Sequence, residues 1–148
     1  GLIASTIACF LNDKLKNVIR KVSKIQRLLG IQLLAQLSLK DPSTWDESIS
    51  LLSQSNLIST KNKSISIIIL GDIPENEILL ISNKFNESFK EKNITFVDNL
   101  LKAKESDIQI VLTRTGLISK SQLLKFKKVL LLQENSTAGL IILDDNFD

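Results

Sequence analysis

The chain alternates between two patterns of hydrophobic positions. In the first, short and nearly unbroken apolar runs rich in β-branched residues indicate strands that are buried on both faces. The strands predicted in this way span residues 31–37, 65–70, 94–97, 108–112 and 139–143. In the second pattern, apolar residues recur at helical spacing, which is typical of amphipathic helices. The helices predicted in this way span residues 18–29, 44–57, 75–92, 100–105 and 119–132.

Strands that alternate with helices indicate a parallel sheet with right-handed crossovers. We therefore expect an α/β fold, with a small, mostly parallel, Rossmann-like sheet of about four to five strands and flanking helices. Gly30 follows the last apolar position of the first predicted helix, where a glycine commonly ends a helix. Residues 59–64 read as a polar linker ahead of the second strand.

The most informative stretch runs from Ser64 to Ile81, where a strand, a turn at Gly71–Pro74 and a helix are predicted in succession. This arrangement is where α/β proteins bind nucleotide phosphates. A phosphate-binding loop needs glycines, so that backbone N–H groups approach the anion, followed by a lysine and a hydroxyl residue. Residues 75–79 instead read E-N-E-I-L. Two carboxylates and two apolar side chains do not attract a triphosphate, so the sequence predicts no phosphate site here.

The beginning of the chain suggests a membrane. Residues 2–11 are apolar or small throughout, but a bilayer-spanning helix needs about 20 such residues. Six basic residues and one acidic residue follow between Asp13 and Arg27, and such an excess of basic residues is typical of the cytoplasmic side of a transmembrane helix. We interpret residues 1–12 as the end of a transmembrane or apolar helix, 13–60 as a juxtamembrane helical segment and 61–148 as the α/β domain. A buried helix of the domain itself is the alternative for the apolar stretch. The chain does not begin with Met, so we expect it to be part of a longer protein.

Composition excludes several classes of function. There is no His, and Cys9 is the single cysteine, so the chain has no His-based catalysis, no intrachain disulfide and no site of several cysteines. The net charge is only +3, and six Phe and one Trp are the only aromatic residues. No stretch combines aromatic and basic residues as a base-stacking surface does. We therefore expect no nucleic-acid partner.

Four stretches are similar to segments of one family: 11–16 followed by 25–37, then 46–53, then 65–77, and finally 106–116 through 138–145. The family is the bacterial polysaccharide co-polymerases, or chain-length determinants, and their fused tyrosine kinases of capsule and exopolysaccharide export. The resemblance begins at the end of the family's second transmembrane helix and covers nearly the whole chain. It implies a P-loop-kinase-like fold on the cytoplasmic side of the bacterial inner membrane.

The departures from the family's pattern imply that catalysis has been lost. Ile78 and Leu79 stand where the family has the P-loop lysine and the magnesium-binding hydroxyl residue, and the P-loop glycines are absent. The stretch at Val97-Asp98-Asn99 keeps one of the two aspartates of the second acidic motif. With no Tyr, an autophosphorylated tyrosine cluster is impossible. The resemblance thus implies a pseudo-kinase with a degenerate P-loop, not an enzyme, and with no cofactor.

Candidate contact residues come from the second of these stretches. In the family this helix makes ring contacts between kinase domains. Glu47 is kept here, whereas Ser50 and Ser53 occupy the positions of two arginines. The resemblance implies self-association through this helix, with other proteins of polysaccharide polymerisation or export as further partners. The function we expect is that of a non-catalytic cytoplasmic domain of a membrane-anchored chain-length determinant in capsule, exopolysaccharide or lipopolysaccharide biosynthesis.

Two other classes of function remain open. A receiver-like, flavodoxin-like signalling domain has a similar strand–turn–helix start, but the third strand of the α/β part ends at Thr113-Arg114 without the phosphoacceptor aspartate. An enzyme with an unfamiliar site would use polar residues at predicted carboxyl ends of strands. Those residues are Asp72, Glu75, Asp98 and Arg114. We interpret Asp72 and Asp98 instead as turn and helix-capping residues.

Overall fold

The computed structural model describes residues 18–55, 64–90, 92–103, 106–133 and 137–145. The helices are α1 (Val22–Leu29), α2 (Trp45–Ser53), α3 (Glu75–Ser88), α4 (Leu100–Ala103) and α5 (Lys120–Leu132), and a 3-10 turn at Pro42–Thr44 precedes α2. The strands are β1 (Leu33–Ser38), β2 (Ser64–Ile69), β3 (Asn93–Val97), β4 (Ile108–Arg114) and β5 (Gly139–Asp144). All five predicted strands are confirmed, and each predicted helix is present with shorter ends. The apolar stretch at residues 1–12 and Cys9 lie outside the described residues.

The five strands form one sheet in the order β1-β5-β4-β2-β3, and every pair is parallel. The α/β class is therefore confirmed, with a sheet that is wholly parallel in the described part of the chain. The direction of strand addition reverses at β2. Its neighbour on one side is β3, the next strand along the chain, and its neighbour on the other side is β4.

Helices cover both faces of the sheet. Trp45 and Ile49 of α2 and Phe85 of α3 pack on one face. On the other face, Ile25 of α1 and Leu123 of α5 pack together, while α4 contributes a smaller cluster beside them. Successive residues of the central strand β4 alternate between the two clusters, as the pleat of a strand requires. Ile110 and Leu112 belong to the first cluster, and Val111 belongs to the second.

The segment ahead of residue 61 contributes to the same sheet. β1 pairs with β5 at the edge of the sheet, and α2 packs across β1. The indole Nε1 of Trp45 donates a hydrogen bond of 2.6 Å to the carbonyl of Ser38, which joins the start of α2 to the end of β1. Residues 18–55 therefore share their core with the strands that follow them.

Two local expectations are wrong. Val18 is not helical, because it forms an antiparallel bridge with Ser119. Beside this bridge, the N–H of Ile19 donates to the carbonyl of Ile118 at 2.8 Å. The residue that caps α4 is Asn99 and not Asp98. The Asn99 side-chain oxygen accepts a hydrogen bond of 3.0 Å from the N–H of Lys102, which leaves the neighbouring carboxylate free to pair elsewhere.

Two helix ends follow directly from the sequence. α1 ends at Gly30, whose φ of 69° lies in the left-handed region, as predicted. α5 begins with a capping box: Ser119 accepts from the N–H of Gln122, and the Gln122 side chain accepts from the N–H of Ser119. This cap fixes the start of α5 beside the loop that follows β4.

Candidate functional site

The carboxyl ends of β2 and β4 form the position at which open α/β sheets bind ligands. The chain continues from β2 to β3 on one side and from β4 to β5 on the other. Because these two connections run in opposite directions, a crevice opens between them at the carboxyl ends of the strands. The residues that follow β2 are the Gly71–Pro74 turn and the first turn of α3, and β4 ends at Arg114. The structure therefore brings the turn after β2 and Arg114 to the same edge of the sheet, as their predicted positions at strand ends require.

Hydrogen bonds and packing hold the loop that follows β2 against β4 and against the loop that follows β4. The N–H of Leu70 donates to the carbonyl of Leu112 at 2.9 Å, and the Thr113 hydroxyl donates to the carbonyl of Leu70 at 2.8 Å. Gly71 has a φ of 97°, and a Cβ placed on it lies 3.0 Å from the carbonyl oxygen of Leu117. Gly71 thus permits the close contact between the loop that follows β2 and the loop that follows β4. A phosphate-binding loop would use such a glycine to approach an anion.

An ion pair occupies the space between α3 and the end of β4. The Arg114 Nε donates to the Glu77 Oε1 at 2.7 Å, and the two side chains are only 18% and 14% exposed. Glu77 lies in the first turn of α3, where the partial positive charge of the helix end stabilises a carboxylate. The Arg114 guanidinium also makes a longer contact of 3.4 Å with the Thr115 carbonyl. The cation at this strand end therefore has a partner within the chain.

This arrangement is electrostatically unsuited to a phosphate. An incoming anion would meet the carboxylate of Glu77 at the helix end, and it would have to compete with that carboxylate for Arg114. Glu75 adds a second carboxylate to the same first turn. Ile78 and Leu79 follow in the same helix and supply no donor. Chemically, the site can stabilise the packing of α3 on β4, but it offers no nucleophile paired with a base.

The other polar residues that the sequence places at strand ends form no salt bridge with Arg114. Asp72, Glu75 and Asp98 are all exposed. The Asp98 carboxylate instead pairs with Lys102, one helical turn later, at 2.9 Å. A hydrogen bond from Lys102 and its positive charge lower the pKa of Asp98 from its ordinary value. Asp98 therefore takes part in a local surface contact, outside the Arg114–Glu77 pair.

A second polar cluster, which was not predicted from the sequence, lies at the carboxyl ends of β4 and β5. The Thr115 hydroxyl lies 2.7 Å from an oxygen of Asp145 and 3.2 Å from an oxygen of Asp144. The Gln36 side chain of β1 donates to the other oxygen of Asp144 at 2.8 Å. The sequence feature that could have indicated this cluster is the pair Asp144 and Asp145, which directly follows the predicted strand at residues 139–143. Among the described residues no group of three or more possible ligands is placed to hold a metal ion.

The candidate contact residues lie together on α2. Glu47 is exposed and Ser50 is half-buried, while the Ser53 hydroxyl donates to the carbonyl of Ser50 at 2.6 Å. The opposite side of the helix is buried through Trp45 and Ile49. Glu47 is thus available for a contact outside the domain, whereas the Ser53 hydroxyl is used within its own helix.

Comparison with known proteins adds no relative. No protein-family model, no curated protein and no solved structure matches this chain. In the part of the chain that the structure describes, no helix is both long and apolar enough to cross a membrane.

Proposed function

We propose that this chain is a non-catalytic cytoplasmic domain of a membrane-anchored polysaccharide chain-length determinant, and that it acts by assembly and partner contacts. One observation carries the non-catalytic part of the proposal. The Arg114–Glu77 ion pair occupies the site at which an active relative would hold nucleotide phosphates. The polysaccharide role and the location at the bacterial inner membrane rest on the resemblance of the sequence to that family.

A domain that performs no catalysis would act by association with copies of itself or with other proteins. The resemblance assigns the inter-domain contact to α2, and Glu47 on that helix is exposed. Leu51, one turn further along, is 62% exposed, so the outer side of α2 offers an apolar side chain next to a carboxylate. A pseudo-kinase relative that packs beside copies of itself under the membrane would use this side of the helix.

A receiver-like domain is the alternative, and the strand order supports it in part. Counted from β2, the strands follow the flavodoxin-like order 2-1-3-4, with β1 in the place of a fifth strand. A receiver needs a phosphoacceptor aspartate where β4 ends. Arg114 occupies that position and pairs with Glu77, which favours the first proposal.

A thermal-shift titration with ATP, ADP and Mg²⁺ tests the loss of nucleotide binding. A ligand that binds the folded state must raise Tm by mass action. We expect that no nucleotide binds, and therefore that Tm does not change at millimolar nucleotide. The Glu77→Gln variant is expected to lose about 1–2 kcal/mol, since it leaves the Arg114 charge without its partner. Its Tm should fall by about 3–8 °C and should also be insensitive to nucleotide. A Mg²⁺-dependent rise in Tm of the unmodified chain would contradict the proposal.

Charge reversal at Glu47 tests the assembly role. We expect Glu47→Lys to lower the weight-average mass in sedimentation velocity and to change the length distribution of the exported polymer in cells. Glu87→Lys is the matched control, because Glu87 is also exposed and lies on α3 and not on α2. Deletion of residues 61–148 should change polymer length or oligomer formation as well. If neither the deletion nor Glu47→Lys alters either property, the assembly proposal fails.

A further inference from the structure

Charge is segregated between the two faces of the sheet. The helices α1 and α5, which pack together on one face, carry six basic residues and no acidic residue: Lys24, Arg27, Lys120, Lys125, Lys127 and Lys128. The helices α2 and α3 on the other face carry one basic residue, Lys84, and five acidic residues: Asp46, Glu47, Glu75, Glu77 and Glu87. We name the outer surface of α1 and α5 the basic face. The modest net charge of the whole chain conceals this separation.

Five of the six basic side chains are exposed, and Lys127 is half-buried. Lys125 and Lys128 lie at helical spacing on the side of α5 opposite the buried Leu123, and both are exposed. Lys24 and Arg27 are likewise exposed on α1, whose Ile25 is fully buried. None of the three salt bridges between described residues involves any of the six. Their charges therefore act together on whatever approaches this face.

Large apolar side chains stand among these charges. Leu131 and Leu132 at the end of α5 are 76% and 85% exposed, and Leu101 of the neighbouring α4 is 82% exposed. Leu124 and Val129 of α5 are also exposed. Of the seven exposed large hydrophobic residues in the described chain, five lie on this side of the sheet, and Leu51 and Leu79 lie on the other. A lipid surface accepts such a mixture, because exposed leucines can enter the headgroup region while the neighbouring lysines meet anionic headgroups.

We propose that the basic face docks on the surface of an anionic lipid bilayer, with Leu131 and Leu132 inserted at the level of the headgroups. Charge complementarity favours this partner, because Lys and Arg near an anionic leaflet are attracted to it and each adds to binding. The leucines favour lipid over nucleic acid, since a bilayer accepts apolar side chains, whereas nucleic acid rewards aromatic side chains that stack on bases. The inference rests on the described surface alone and on no part of the proposed function.

Vesicle flotation of the full chain tests this docking. We expect binding to phosphatidylcholine vesicles that contain about 30% phosphatidylglycerol, and weaker binding to phosphatidylcholine alone. Each basic residue at the surface contributes about fivefold to partitioning, so Lys125→Gln with Lys128→Gln should weaken binding at least tenfold. The matched control is Lys40→Gln with Lys90→Gln, two exposed lysines outside the basic face, and it should change binding less than about twofold. Equal losses in the two double variants would overturn the proposal.

An environment-sensitive fluorophore gives the orientation independently. In a Cys9→Ser background, a label on Leu132→Cys should shift to shorter wavelength on anionic vesicles, and a label on Leu51→Cys on the opposite face should not. All variants keep residues 2–11, so any membrane binding by that apolar stretch is common to them. No shift at position 132, or equal shifts at both positions, would contradict docking through the basic face. Binding of labelled DNA or RNA that depends on Lys125 and Lys128, without binding to vesicles, would replace lipid by nucleic acid as the partner.

Discussion

Replacement of Trp45 by alanine is expected to lower the free energy of unfolding by about 3–5 kcal/mol, the usual cost of truncating a large buried aromatic side chain. Trp45 is fully buried between α2 and the sheet, where it packs in the cluster that includes Ile49 and Phe85. Its loss also leaves the carbonyl of Ser38 without the indole donor that lies 2.6 Å away. Urea unfolding should be followed by far-ultraviolet circular dichroism, because the chain has no other tryptophan to report by fluorescence.

The Trp45→Phe variant separates the two contributions. It keeps most of the apolar volume and removes the hydrogen bond to Ser38, so we expect a loss of about 1–2 kcal/mol. A loss of less than 1 kcal/mol for Trp45→Ala would show that α2 is not packed into the common core. The domain would then be confined to the strands that follow residue 61, as the sequence-based division of the chain proposed.

The elements themselves could be predicted because the local pattern of side chains determines them. In β2, Ile65 and Ile67 are buried on one face of the sheet and Ile68 on the other. A strand with apolar residues on both faces is typical of a parallel sheet that helices cover on both sides. Gly30 and Ser119 carry end signals that act within a few residues, and both mark helix ends as expected. That residues 75–79 lack the glycines and lysine of a phosphate-binding loop is a property of the sequence alone, since that signature depends on residue types at fixed spacing.

The partners of these elements could not be predicted, because they depend on residues far apart in the chain. Glu77 and Arg114 are separated by 37 residues, and no local pattern indicates that one side chain meets the other. The same is true of Gln36 and Asp144, which are separated by 108 residues. Both pairs follow from the strand order, which places β4 beside β2 and β1 beside β5. In both cases the neighbouring strands are not consecutive in the chain. The sequence-based division, which follows the order of the chain, therefore assigned β1 to a separate segment.

The seam between β1 and β5 explains how the early segment joins the sheet. The N–H of Leu140 donates to the carbonyl of Gln32 at 2.9 Å, and the Gln32 side chain donates to the carbonyl of Ala138 at 2.7 Å. Gly139 lies between these two bonds, at the first residue of β5. The backbone of the early segment can approach this closely because residue 139 has no side chain.

Gly139→Ala is therefore expected to destabilise the domain by about 2–3 kcal/mol, within the range for overpacking a buried site. A Cβ at this position would lie 2.9 Å from the carbonyl oxygen of Gln32 and would clash with the Leu34 side chain. The carbonyl cannot retreat without weakening its bond to Leu140, whereas Leu34 is half-buried and can move in part. The lower entropy of an unfolded chain with alanine offsets only about 0.4–1 kcal/mol of this cost. Urea unfolding gives the difference directly.

A double-mutant cycle with Leu34→Ala identifies the source of the loss. Truncation of Leu34 should remove the side-chain clash but not the contact with Gln32, so Gly139→Ala should cost less in that background and still cost about 1 kcal/mol. If Gly139→Ala is neutral in the otherwise unmodified chain, β1 does not approach β5 as closely as the structure shows. A full cost in both backgrounds would assign the whole effect to the Gln32 carbonyl, and hence to the backbone seam that holds residues 18–55 on the sheet.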